Sequence, residues 1–140
     1  MEIVKKALIT VQVMVNAPAE KTWKCWTTPE HITHWNFASD DWHAPRAEND
    51  LQVGGKFSYR MEAKDGSLGF DFSGIFTKIE ANKQLDYLLG DDRTVQVTFV
   101  AEGNKTIVTE VFEAEEMNSV ELQQTGWQAI LNNFKKYIEQ

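Results

Sequence analysis

Short stretches in which apolar and polar residues alternate recur along most of this chain, and they constrain its fold more than any other feature. A period of two is typical of strands that bury one face. Tight-turn sequences separate the later stretches, and one of them, Asp65-Gly66, is a strong hairpin signal. The pattern therefore predicts an antiparallel meander. The stretches cover residues 9–15, 57–61, 68–79, 84–89, 94–100 and 105–113.

The C-terminal stretch has a different period, because its apolar residues recur every three or four positions. That spacing predicts one long amphipathic helix, with Asn118 or Ser119 as its N-cap. Gly126 lies inside this helix, where glycine costs roughly 1 kcal/mol relative to alanine. We therefore expect another element to pack closely against that turn. The apolar stripe comprises Val120, Trp127, Ile130, Leu131, Phe134, Tyr137 and Ile138.

Two short helices are predicted between the first strand and the meander. Pro18 lies near the start of one, and Thr28-Pro29-Glu30 supplies a cap, an N1 proline and an acidic first turn for the other. Residues 36–50 show no period, so we expect a loop that contains a short strand at most. The order of elements predicts an α+β fold over residues 1–140, with a curved antiparallel sheet around a long C-terminal helix.

Length and charge restrict the classes of function. The 140 residues suit one domain, and 21 acidic against 14 basic residues give a net charge of −7, which disfavours nucleic acid as a partner. The chain contains no run of about 18 apolar residues, which is the length needed to span a membrane. The chain enters its strand pattern without signal-peptide features and has one cysteine, Cys25, so we predict a cytoplasmic protein. A monomer or weak homodimer is expected.

Four motifs in this order resemble the START-like helix-grip (SRPBCC) superfamily. They are "VNAPAEKTWKCWTTPEHITHW", "GGKFSYRMEAKDG", "FSGIFTKIEANKQLDYLL" and "GWQAILNNF". Within the superfamily, the chain is similar to bacterial proteins that resemble the C-terminal domain of the heat-shock-protein-90 ATPase activator. The resemblance spans nearly the full length.

The resemblance implies a seven-stranded sheet that grips the C-terminal helix, with a hydrophobic cavity between them. Relatives bind lipids, sterols, polyketides or plant metabolites, and some catalyse cyclisation or hydrolysis. Our primary hypothesis is therefore binding of a hydrophobic or amphipathic small molecule, with residues 36–46 as part of a gate. We expect Trp23, Trp26 and Ile130 in the core. The predicted cavity walls are Trp35, Trp42, Phe57, Tyr59, Phe70, Phe72, Phe99, Glu110, Trp127, Leu131 and Phe134.

Polar groups that face the cavity would distinguish an enzyme from a binding protein. Glu110 shares one strand face with Val108 and Phe112, but the opposite face is equally apolar, so the alternation leaves its direction open. If it points inward, burial would raise its pKa and suit it to acid–base chemistry. No catalytic residue is assigned at this point. The candidates considered are Tyr59, Asp71, Glu110, Arg60 and Arg46.

All three histidines lie close together in the sequence, at His31, His34 and His43. The first two could share one face of a helix and, with Asp40 or Asp41, complete a metal site. No established metal-binding spacing is present, however, so we predict neither a metal nor a cofactor. The histidines are expected on the rim of the cavity.

Interaction with a chaperone is the third hypothesis, and it follows from the resemblance alone. It would give the protein a role in the stress response. The eukaryotic activator uses an additional N-terminal domain to engage its chaperone, whereas this chain begins directly at the helix-grip strand. A chaperone partner is therefore expected less than a small-molecule ligand.

Overall fold

The six alternating stretches and one further segment form seven antiparallel strands in one curved sheet within residues 7–140. The computed structural model describes residues 7–140, so residues 1–6 of the predicted domain lie outside the described residues. The strands pair in the order β1-β7-β6-β5-β4-β3-β2, which confirms the predicted meander and places β1 beside the last strand. The strands are β1 Leu8–Val15, β2 Trp42–Asn49, β3 Lys56–Ala63, β4 Gly69–Glu80, β5 Gln84–Leu89, β6 Thr94–Glu102 and β7 Lys105–Glu113.

Three helices complete the α+β fold predicted from the sequence. Helices α1 (Ala19–Thr27) and α2 (Pro29–Ile32) follow β1, and the long helix α3 (Val120–Ile138) ends the chain. The Ser119 hydroxyl accepts a hydrogen bond from the Leu122 amide at 3.1 Å, so Ser119 rather than Asn118 is the N-cap. None of the helices within residues 7–140 is long and apolar enough to cross a membrane.

Strand β2 corrects the prediction that residues 36–50 form a loop with at most a short strand. Its eight residues pair with β3 at the edge of the sheet, and the pairing register shifts between His43 and Arg46. Pro45 lies within that irregularity, and an edge strand tolerates a proline there because fewer ladder hydrogen bonds are required. The shift interrupts the alternation, which is why the sequence shows no period.

The apolar side chains of the sheet face α3 and the two short helices. Every second residue of β7 is buried, from Thr106 through Val108 and Glu110 to Phe112, whereas the residues between them are half-buried. This alternation settles the direction of Glu110, which points towards α3. Leu131 and Phe134 of α3 are fully buried against the same face.

Candidate functional site

A cavity of about 300 Å³ lies between the concave face of the sheet and α3. Its volume is at the lower end of the range of roughly 300–1,000 Å³ that is typical of small-molecule sites. Seven of its 17 wall residues are aromatic, and six are polar or charged. The aromatic residues of the wall are Trp26, Trp35, Tyr59, Phe70, Phe72, Tyr87 and Trp127.

The register of the sheet places the wall residues of β3 and β4 side by side. Tyr59 lies opposite Phe72, and Met61 lies opposite Phe70. Because side chains two residues apart share one face of a strand, these four side chains form one continuous surface. The alternation visible in the sequence therefore builds this wall directly.

Trp127 of α3 covers the cavity from the helix side. Its ring is stacked on Phe112 of β7, with centroids 3.7 Å apart and planes 12° from parallel. Phe72 meets the same indole edge-on at 5.8 Å. Aromatic contacts in these arrangements contribute beyond simple area burial, so the indole is held in a fixed orientation.

Gly126 adds to the space in front of Trp127. A Cβ atom at this position would meet nothing within 4 Å outside its own part of the helix. The expectation that another element packs closely against this turn is therefore wrong. The missing side chain enlarges the cavity, whose wall includes Gly126.

The cavity opens to solvent near the start of α3. Phe70 and Leu122 both line it while remaining 48% and 59% exposed. The predicted gate, residues 36–46, contributes only Asn36 to the wall, because residues from Trp42 onward belong to β2. The Asn133 side chain also donates to the Trp35 carbonyl at 2.8 Å, which ties this segment to α3.

Glu110 is the most unusual group in the cavity wall. Its side chain is 4% exposed, and its carboxyl has no hydrogen-bond or ion-pair partner among the described residues. Val108 and Phe112 flank it along β7, and Val97 and Val11 lie beside it on the neighbouring strands. Burial in these apolar surroundings raises the pKa of Glu110 to about 8, because the charged form loses its hydration.

Two tyrosines share the inner end of the cavity with Glu110. Tyr87 is buried, and its pKa is raised well above the usual value by burial, then by the nearby Glu110 and Tyr59. The Tyr59 hydroxyl accepts a hydrogen bond from the Asn49 side chain at 3.1 Å, and burial raises its pKa to about 12. One carboxyl and two phenols therefore converge in an apolar surrounding.

Several other polar residues of the wall already have partners. The Gln123 side chain donates to the Asn118 carbonyl at 2.8 Å and accepts from the Glu115 amide at 2.9 Å, which closes the segment before α3. Arg93 forms an ion pair of 2.7 Å with Asp91. Among the buried wall residues with a side-chain nitrogen or oxygen, Glu110, Tyr87, Asn36 and Trp26 make no side-chain hydrogen bond within residues 7–140.

Three of the polar candidates considered for catalysis lie on the opposite face of the sheet. Arg46 and Arg60 each approach the Asp71 carboxylate at 3.6 Å, and Arg60 also pairs with Glu62 at 2.8 Å. Arg60 and Asp71 pair across β3 and β4, one position away from the inward pair of Tyr59 and Phe72. They form a surface ion-pair network away from the cavity.

The predicted wall residues divide into two groups. The structure brings six of them together around the cavity: Trp35, Tyr59, Phe70, Phe72, Glu110 and Trp127. The other five lie outside the wall: Phe57 behind Tyr59 and Phe72, Phe99 under Trp23 and Trp26, Trp42 in β2 beside Phe70, and Leu131 and Phe134 in the core under α3.

Some wall residues were not predicted. Trp26 and Ile130 were assigned to the core alone, yet both also line the cavity. Tyr87 was not among the predicted wall residues, although Leu85 and Tyr87 alternate with Gln84 and Asp86 in β5 and both are buried. That alternation was the available signal for Tyr87. Tyr87 lies near Glu110 because β6 pairs with both β5 and β7, and no local sequence pattern reveals that pairing.

The histidines do not converge. His31 Nδ1 lies 2.6 Å from the Tyr137 hydroxyl, and the His34 ring stacks on the same tyrosine. His43 approaches Glu62 at 3.7 Å on β2 and β3. Within residues 7–140, no group of three or more His, Cys, Asp or Glu side chains is placed to hold a metal ion.

A sequence model of one family, described as Activator of Hsp90 ATPase homolog 1-like protein, matches residues 16–139. No curated protein matches the chain in sequence. The matched region contains all three helices and all strands after β1.

Solved structures give the same result in three dimensions. An AHSA1-like protein from Aeromonas hydrophila is 44% identical, with a TM-score of 0.89 over 95% of this chain and 92% of that one. A protein from Cytophaga hutchinsonii is 50% identical, with a TM-score of 0.81 over 92% and 90%. A protein from Nitrosomonas europaea, at 19% identity and a TM-score of 0.80 over 96% of both chains, shares the fold.

Proposed function

Because the chain belongs to the Activator of Hsp90 ATPase homolog 1-like family, we propose that its cavity binds an amphipathic small molecule. The family assignment also confirms the resemblance found in the sequence. The apolar body of the ligand would lie between Trp127 and Phe72, and its polar group would face Glu110. Apolar burial supplies the main driving force, and the polar group fixes the orientation.

The single observation that carries this proposal is the unpaired Glu110 carboxyl inside an aromatic cavity. Within residues 7–140, no side-chain nitrogen or oxygen that is closed off from solvent lacks a hydrogen bond, so the Glu110 carboxyl, which makes none, opens onto the space of the cavity. Polar groups that face such a space in an apolar wall commonly orient a ligand. A ligand with a complementary polar group would satisfy the carboxyl and would fill the space of about 300 Å³ beside it.

A pair of substitutions at Gly126 tests the proposal without removing any wall residue. Gly126→Phe adds a ring where a Cβ meets nothing within 4 Å, so the ring enters the cavity and fills it. Gly126→Ala adds one methyl group and leaves most of the space. The probe is N-phenyl-1-naphthylamine, an uncharged aromatic molecule whose fluorescence rises in apolar surroundings.

We expect the wild type and Gly126→Ala to bind the probe and Gly126→Phe to bind it at least about tenfold more weakly, since the space is already occupied. Thermal unfolding of each variant shows that the fold is intact. Equal binding by all three proteins would place the probe elsewhere and refute the proposal. Absence of binding by the wild type would refute it as well.

The convergence of Glu110 and Tyr87 also favours a second function, catalysis of a proton transfer in the same cavity. A carboxylate in apolar surroundings is a stronger base than one in water. 5-Nitrobenzisoxazole is a suitable probe: loss of its ring C–H proton to a base breaks the N–O bond and releases a coloured cyanophenolate. Equal rates for the wild type and Glu110→Gln would rule out this function for Glu110.

A further inference from the structure

We propose that the ligand of this cavity is an organic cation whose protonated amine pairs with the Glu110 carboxylate while its apolar body contacts the aromatic wall. This inference rests on the proposed function and specifies the chemical class of the ligand.

The groups beside Glu110 are acidic or weakly polar. Tyr87 of β5 and Tyr59 of β3 face it across the cavity, and both can lose a proton but cannot carry a positive charge. Neither Lys, His nor Arg contacts the Glu110 carboxyl among the described residues. When Glu110 is ionised, a ligand carboxylate or phosphate at this end would meet another carboxylate in an apolar surrounding, so anions become less favourable as pH rises towards about 8.

The aromatic wall offers a second attraction for a cation. Tyr59, Tyr87 and Trp127 line the same cavity as Glu110 from three elements, and the π faces of such rings attract ammonium groups. This attraction strengthens when the cation is removed from water, as it would be inside the cavity. A carboxylate among aromatic rings is a combination that complements a protonated amine with an apolar body.

Charges nearer the opening do not oppose this preference. Glu115, after β7, adds a second carboxylate to the wall, and Arg93, between β5 and β6, pairs with Asp91 at 2.7 Å. Among the described residues, Gln123 is the polar wall residue of helix α3, and the helix contributes no charged group to the wall. The net charge of −7 favours the approach of cations over long distances.

Binding of the amine would be linked to release of a proton. Because burial raises the pKa of Glu110 to about 8, the free protein holds this proton at neutral pH and must lose it to form the ion pair. Affinity for an amine therefore increases as pH rises towards that pKa. The ionised fraction of Glu110 grows about 50-fold between about pH 6 and about pH 8, which sets the size of the effect.

Three indoles whose side chains end in groups of different charge test this inference. Tryptamine is cationic, tryptophol is neutral and indole-3-acetate is anionic. Isothermal titration calorimetry at about pH 6 and about pH 8 measures their affinities for the wild type and for Glu110→Gln, which keeps the shape of the side chain. Glu102→Gln removes an exposed carboxylate from β6 and reports the effect of the change in net charge.

At about pH 8 we expect the wild type and Glu102→Gln to bind tryptamine about tenfold or more tightly than tryptophol, and indole-3-acetate most weakly. Glu110→Gln should lose the preference for tryptamine, and the wild-type affinity for tryptamine should fall towards about pH 6. Equal or tighter binding of tryptophol or indole-3-acetate overturns the inference and leaves the proposed cavity function standing. If none of the three indoles binds but N-phenyl-1-naphthylamine does, the inference alone fails. If neither kind of probe binds, both fail.

Discussion

Replacing Glu110 with glutamine should remove a loss of stability that the wild type undergoes as pH rises. Unfolding exposes the carboxyl and lowers its pKa from about 8 to the ordinary value of 4.5. Between these values the folded chain holds a proton that the unfolded chain has lost, so the free energy of unfolding falls as pH rises. The stabilisation is complete below 4.5 and has been lost once the pH has passed through about 8.

The slope of this loss is about 1.4 kcal/mol per pH unit in the middle of the window. Between about pH 5 and about pH 8 the sum is about 3 to 4 kcal/mol, because the ends of the window contribute less than the full slope. The estimate applies to Glu110 alone. Urea denaturation of the wild type and Glu110→Gln at several pH values isolates it, since every other titrating group is common to both proteins.

Glu102→Gln serves as the control, because it removes a carboxylate from an exposed position on β6. The difference in stability between Glu110→Gln and the wild type should grow in favour of the variant as pH rises. A constant difference over this window would mean that the folded state does not hold the Glu110 proton. The description of this carboxyl as buried and unpaired would then be refuted.

Three further predictions concern stability. Gly126→Ala should raise the free energy of unfolding by up to about 1 kcal/mol in urea denaturation, because the methyl group has space and alanine favours the helix; a loss would contradict the open space at this turn. Ser119→Ala should lower it by about 1 kcal/mol, since the variant lacks the cap bond to Leu122; no change in the urea midpoint would show that the cap contributes nothing. Thr106→Val should lower the thermal midpoint, because the buried Ala17 carbonyl loses its 2.8 Å hydrogen bond; an unchanged midpoint would refute this.

The sequence predicted the fold well because local periods and turns specify most of its elements. The alternation in β7 and the three-to-four spacing in α3 come from residues that bury one face, and the structure confirms both. Strand β2 was the exception. Its pairing with β3 is irregular around Pro45, so the backbone forms a strand without leaving the usual alternation in the residues.

The cavity was harder to predict, because a wall residue and a core residue have the same chemistry. Phe72 and Phe99 are both inward aromatic residues on strands, yet only Phe72 meets the cavity while Phe99 packs under α1. Their difference lies in which helix covers each part of the sheet. Gly126 shows the same limit, since an absent side chain can mark either close packing or open space.

The local sequence pattern predicted the position of Glu110 only in part. The sequence indicated that it could point inward, but its two strand faces were equally apolar, and only the pairing of β7 with β1 and β6 decides between them. Its neighbours Tyr59 and Tyr87 come from strands that are distant in the chain. The convergence of these acidic groups therefore results from the topology of the sheet.

The position of a bound probe tests the central claim most directly. Intermolecular nuclear Overhauser effects between N-phenyl-1-naphthylamine and the protein identify the side chains within about 5 Å of the probe. We predict contacts with Trp127, Phe72 and Tyr87, which surround the cavity. Contacts confined to exposed apolar residues such as Leu68 and Val53, with none to the cavity wall, would contradict the claim that this cavity is the binding site.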